Sequence, residues 1–252
     1  VNVAGARILV IGGVRRLGRT VARDLAGLGA AVCVTTRTPD AEADAQVEAL
    51  RAAGAAAAAA VHGDVSSAAG ASRLVDDGSG ALGGLDALVF AASGPFAPAP
   101  PHAVSEAAWN ESFDTVAKGF FFAAAAARRH LLAVRSPGER PGGVIVAVTD
   151  LLGLRPWPAF AAHSAAKAAQ INLVAGLAGA WADDGIRVCG VAPGPVDLED
   201  DEHRDATLRA ARGEAGRLVQ PRDVAAAVRF CLEDEGVTGV NIPVDNGALL
   251  GR

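Results

Sequence analysis

Short, continuous apolar runs alternate with longer amphipathic stretches from one end of the chain to the other. The runs cover residues 7–11 (RILVI), 31–35 (AVCVT), 56–61, 87–91, 144–148, 187–191 and 239–244. A strand that is apolar at every position is covered on both faces, which is the habit of parallel sheets. Between the runs lie stretches with helical periodicity at 19–28, 41–53, 67–77, 111–134, 160–182 and 222–232. Gly29 and Gly54 follow the first two and supply the left-handed stop that ends many helices. Strands alternating with helices of ten or more residues predict an α/β chain. With right-handed crossovers it becomes a Rossmann fold, a doubly wound parallel sheet of about seven strands in a single domain over residues 1–252. One segment pulls two ways. Residues 55–60 are polyalanine, which propensity assigns to helix, but Gly54 has just closed a helix and the alternation needs a strand. Residues 95–101 (PFAPAPP) read as a surface loop.

Composition narrows the function classes. Of 252 residues, 51% are hydrophobic and 20% charged, enough for a sizeable core and too apolar for disorder. A formal net charge of −5 gives no reason to expect nucleic acid or an anionic membrane. No apolar run reaches spanning length without glycine or charge, and no signal peptide is read at the start, so the expected location is cytoplasmic. The expected partner is a small-molecule substrate. Alanine is so abundant that single alanines carry little information, whereas lysine occurs only at Lys118 and Lys167. Cys33, Cys189 and Cys231 are far apart without CxxC spacing and read as buried thiols of a reducing compartment. His62, His102, His130 and His203 show no ligand spacing with one another or with the cysteines, so no metal is expected.

The first chemistry appears between the first strand and the first helix. Gly12-Gly13-Val14-Arg15-Arg16-Leu17-Gly18 is a glycine turn that lets backbone N–H groups and a helix N-terminus approach a pyrophosphate. The end of the second strand decides between the two nicotinamide dinucleotides. An acid there would take the ribose 2′-OH, and an arginine takes a 2′-phosphate. The chain reads Thr35-Thr36-Arg37-Thr38, with no acid before Asp40 and Arg15 as a second cation on the same side. The expected cofactor is NADP(H).

These and later landmarks resemble the short-chain dehydrogenase/reductase family. The turn is similar to the family's TGxxxGxG, with Arg16 at the middle glycine. Asp64-Val65 resembles the pair that contacts adenine, and Ala92-Ser93-Gly94 the end of NNAG. Lys167 resembles the lysine of YxxxK, and Pro193-Gly194, with Val196 close behind, the PG turn beside the nicotinamide. Val237-Thr238-Gly239 and Ile242-Pro243-Val244-Asp245 resemble the closing strand. The resemblance therefore implies a cofactor site of Gly12, Arg15, Arg16, Leu17, Gly18, Thr36, Arg37, Asp64, Val65, Ala92, Lys167, Pro193, Gly194 and Val196.

It also implies catalysis by Asn, Ser, Tyr and Lys, and here the chain departs. It contains no tyrosine; His163 stands at that position and Asp150 at the serine position thirteen residues earlier. The asparagine position falls at or near Val116, and the NN of NNAG reads Phe90-Ala91. A basic residue at position 16 and an acid at position 150 resemble the pteridine reductase branch. His163 and Lys167 are four apart and share a helix face. The expected catalytic set is Asp150, His163 and Lys167, with histidine exchanging the proton. By the same analogy Ser93, Phe96, Leu152, Trp157 and Phe160 line an apolar substrate pocket with Arg155 at its rim, and residues 197–216, acidic at their start, form a variable lid region. Helices 120–134 and 160–182, apolar on more than one face, point to a homotetramer or homodimer. With three of the four usual residues replaced, three functions stay open: an NADP(H)-dependent oxidoreductase, a non-redox enzyme on the same scaffold, and a non-catalytic dinucleotide-binding protein.

Overall fold

A computed structural model describes residues 1–94, 97–133, 142–198 and 218–250. Its centre is one parallel sheet of seven strands: β1 (Arg7–Ile11), β2 (Ala31–Thr36), β3 (Ala57–His62), β4 (Ala87–Phe90), β5 (Gly143–Val148), β6 (Ile186–Pro193) and β7 (Asn241–Val244). The order is β3-β2-β1-β4-β5-β6-β7, so the chain reverses direction between β1 and β4. The polyalanine segment is a strand. As the edge strand it needs no bulky side chains, and Ala57–His62 pairs with β2 along its whole length.

Helices α1 (Arg16–Gly27), α2 (Ala41–Ala53) and α7 (Pro221–Glu233) cover one face. Helices α3 (Ala68–Leu82), α5 (Gly119–Leu131) and α6 (Ala161–Ala180) cover the other. Each face has its own apolar layer. Ile8, Val10 and Val32 meet Val21, Leu25 and Val228 on the first, and Leu9, Ile11 and Leu88 meet Leu74, Phe120 and Val174 on the second. Phe90 and Phe120 meet edge to face with centroids 5.5 Å apart, tying α5 to the centre of the sheet.

Two helices differ from the periodicity. Helix α3 runs five residues past the predicted end at 77. Gly78, a poor helix former, is needed where α3 presses on β1, since a Cβ there would lie 2.6 Å from Leu9 Cδ1. The predicted helix at 111–134 is two helices. The first, α4 (Glu106–Phe113), starts at Ser105, whose Oγ accepts from Ala108 N at 3.2 Å as an N-cap. A π-helical turn over Asp114–Lys118 then separates it from α5. Such turns collect at functional sites, and this one carries Thr115 into the cleft described next.

Candidate functional site

In a doubly wound sheet the loops on either side of the chain reversal diverge and leave a crevice at the carboxyl ends of the strands. Here the crevice opens above β1 and β4, with a volume of about 450 Å³. Its inner wall is the glycine turn. Gly12 has φ +80°, and a Cβ there would come within 2.9 Å of Ala92 N. A Cβ on Gly18 would lie 2.1 Å from Gly12 O, so helix and strand meet only because neither carries a side chain. Gly12 N donates to Thr35 Oγ1 at 3.1 Å. From behind, the buried Gln46 of α2 donates to Gly13 O at 3.2 Å. Arg16 has φ +49°, a left-handed backbone that favours glycine and strains an arginine.

All the expected cofactor residues line this one cleft, as do Asp150, Leu152, Trp157, His163 and Ser93. Phe160 does not. It sits in a 3-10 turn (Pro158–Phe160) beside Trp157, with ring centroids 6.0 Å apart. Phe96 and most of the acidic segment, 199–217, lie outside the described residues.

The two arginines of the expected phosphate site differ. Arg15 pairs with Asp40 Oδ2 at 3.1 Å and with Glu42, so part of its charge is already compensated. Arg37 lines the cleft and has no ion-pair partner among the described residues. Asp64, below β3, accepts from Ser66 N at 2.9 Å; that bond, with Arg37 and Lys118 nearby, holds its carboxyl below the usual range.

At the other end of the cleft stand Asp150, His163 and Lys167. Asp150 follows β5, and its Oδ1 accepts from Leu152 N at 2.8 Å, capping the 3-10 turn Leu151–Gly153. Its Oδ2 faces His163 Nε2 at 3.2 Å. The carboxylate is thus a loop cap and a histidine partner at once. Lys167, one turn along α6, is buried and donates to Val148 O at 2.9 Å and to Gln170 Oε1 at 3.1 Å. Burial pushes its ammonium down to about 8, with Asp150 pulling the other way.

Two cleft hydroxyls were not found by sequence reading. Thr115 lines the cleft while Val116, the expected asparagine position, is fully buried and does not. No periodicity announces a π turn, which shifts the helix register by one. Thr149 lines the cleft and donates to Val191 O at 3.0 Å. Among the described residues no cluster of three His, Cys, Asp or Glu side chains could hold a metal ion, and no helix is long and apolar enough to cross a membrane. Cys33, Cys189 and Cys231 are free and buried.

The fold and cleft define a dinucleotide-binding α/β protein, and comparison with known proteins makes this narrower. The family model described as enoyl-(acyl carrier protein) reductase matches residues 13–248. The chain is 34% identical over 258 residues to 3beta-hydroxysteroid dehydrogenase 1 of Eggerthella lenta, covering 99% of this chain and 95% of that one. It is 35% identical over 244 residues to cis-4-hydroxycyclohexanecarboxylate dehydrogenase of Sinomonas cyclohexanicum, covering 95% and 94%. A short-chain dehydrogenase of Burkholderia cenocepacia solved in complex with NADP superposes with a TM-score of 0.86 at 31% identity, covering 98% and 99%. The chain belongs to the short-chain dehydrogenase/reductase family.

Proposed function

We propose that this protein is an NADP(H)-dependent oxidoreductase that moves a hydride between nicotinamide and a small organic carbonyl, alcohol or polarised double bond, with Asp150, His163 and Lys167 in place of Ser, Tyr and Lys. The observation that carries the reading is the 3.2 Å contact between His163 Nε2 and Asp150 Oδ2, beside Lys167 and in the same cleft as the glycine turn. Two of the relatives are named for hydroxyl-bearing substrates, and the related structure holds NADP.

The residues fit the dinucleotide. The turn offers a surface from which Cβ atoms are excluded, with the start of α1 beside it. Arg37 is the cation for a 2′-phosphate, with Arg15 held near it by Asp40 and Glu42. When bound, the nicotinamide supplies or accepts the hydride. His163 gives a proton to the substrate oxygen on reduction and takes it on oxidation; Asp150, 3.2 Å from its Nε2, fixes the ring. Lys167 holds the ribose. Leu152 and Trp157 provide an apolar wall for the substrate. Within the family, Arg16 and Asp150 support a reading of the motif as nearest the pteridine reductase-like branch.

Calorimetric titration tests the cofactor assignment. NADPH is expected to bind at least about tenfold tighter than NADH, a difference of about 1.4 kcal/mol, and Arg37→Asp to abolish or reverse the preference. Equal affinities for the wild type would refute it. Thr115 rather than an asparagine at this point of the cleft favours a second reading, a non-redox enzyme or a binding protein on the same scaffold. Under that reading NADPH binds, but absorbance of the reduced nicotinamide stays constant with every carbonyl offered.

A further inference from the structure

The proton-handling groups do not explain Gln170. It lies one turn beyond Lys167 on α6, is fully buried and does not line the cleft. A buried amide is costly unless its hydrogen-bonding capacity is used. Gln170 uses it only in part: Oε1 accepts from Lys167 Nζ at 3.1 Å, while Nε2 has no hydrogen-bond partner among the described residues. A leucine or methionine would fill similar space without that cost. The glutamine is therefore not accounted for by packing, and the one polar contact it makes is to the lysine.

We propose that Gln170 is a positioning residue, which fixes Lys167 at the floor of the cleft by accepting a hydrogen bond from its ammonium. The inference rests on the reading of Lys167 as the ribose-holding group. An ammonium has three N–H donors. Val148 O and Gln170 Oε1 take two on the protein side and leave one for the cleft that Lys167 lines. The acceptor also opposes the burial that pushes this lysine down to about 8. Asp150, on the loop after β5, is the charged group whose field reaches Lys167, and His163 is the other titratable group one turn back on α6. Gln170 adds no charge of its own. A carboxylate in its place would hold the lysine as ammonium far above neutral pH.

Only two lysines occur in the chain, so lysine labelled with 13C at the ε position reports on two sites. Lys118, half-buried and paired with Asp114 at 2.6 Å, is the internal reference. In the cofactor-free protein followed by NMR, Lys167 is expected to titrate well below the ordinary lysine range. Gln170→Leu should lower its midpoint by about one pH unit, the loss of one hydrogen bond to a charged group, and Gln170→Glu should raise it by at least about one, with Lys118 unmoved in both. At pH 7, Gln170→Leu should weaken NADPH binding several-fold and Gln170→Glu, which keeps the acceptor, should restore it. If Gln170→Leu does not fold, the Gln170→Glu titration decides alone. A Lys167 midpoint unchanged in folded variants overturns the proposal. Midpoints that move while NADPH affinity stays constant uphold the positioning and overturn instead the reading of Lys167 as the ribose holder.

Discussion

At the scale of single residues the proposed function turns on a substitution of chemistry. A phenol must be brought down several pH units to exchange a proton near neutrality, and a buried cation beside it does that work in the usual family arrangement. An imidazole starts near neutrality and needs a partner that fixes its ring. The contact between Asp150 Oδ2 and His163 Nε2 at 3.2 Å is such a partner. His163→Phe is expected to lower kcat about 10²–10⁴-fold with NADPH affinity retained; full activity in this variant would remove histidine from the proton path. Asp150 allows a finer separation because its two oxygens have different partners. Asp150→Asn keeps an oxygen for Leu152 N and loses the charge facing His163, so turnover should fall at nearly constant thermal stability. Asp150→Ala loses the cap as well and should also lose about 1 kcal/mol of stability in denaturant titration.

At the scale of elements, the turn between β1 and α1 carries most of the design. Its close approaches are between backbones, so substitution there is not relieved by a side-chain rotation. Gly18→Ala would place a Cβ 2.1 Å from Gly12 O and force α1 away from the sheet. Loss of NADPH binding by more than about a hundredfold is expected, read by calorimetry alongside a near-native circular dichroism spectrum. Wild-type affinity in Gly18→Ala would show that the turn does not cradle the phosphates. The π turn between α4 and α5 works in the opposite direction. It admits one extra residue per turn, buries Val116 and brings Thr115 to the cleft.

At the scale of the whole molecule, three of the four exposed aromatics among the described residues lie on α4 and α5, and the fourth, Phe230, on α7. Trp109, Phe121 and Phe122 of α4 and α5 are exposed at 43%, 39% and 37%, beside the small residues of α6. Apolar side chains grouped in this way favour burial against another copy. Sedimentation at micromolar concentration should give a homotetramer or homodimer, and the double substitution Phe121→Asp, Phe122→Asp should shift it towards monomer. A monomeric wild type would contradict this.

The order of elements, the glycine turn, the arginine after β2 and the histidine–lysine spacing were legible in the chain itself. Each is a local pattern: a continuous apolar run, a stop glycine, a four-residue helical repeat. Even the polyalanine strand followed from the alternation around it, because an edge position tolerates alanine. Contacts between distant segments were not legible. The compensation of Arg15 by Asp40 and Glu42 depends on how the start of α2 meets the turn. The pairing of Phe160 with Trp157 depends on the path of a loop. The π turn that exchanges Thr115 for Val116, and the burial that makes Gln170 a partner of Lys167, depend on packing of helices against the sheet. Hydrophobic periodicity records which residues leave water; it does not record which of them meet, and that pairing is decided only when the layers close on one another.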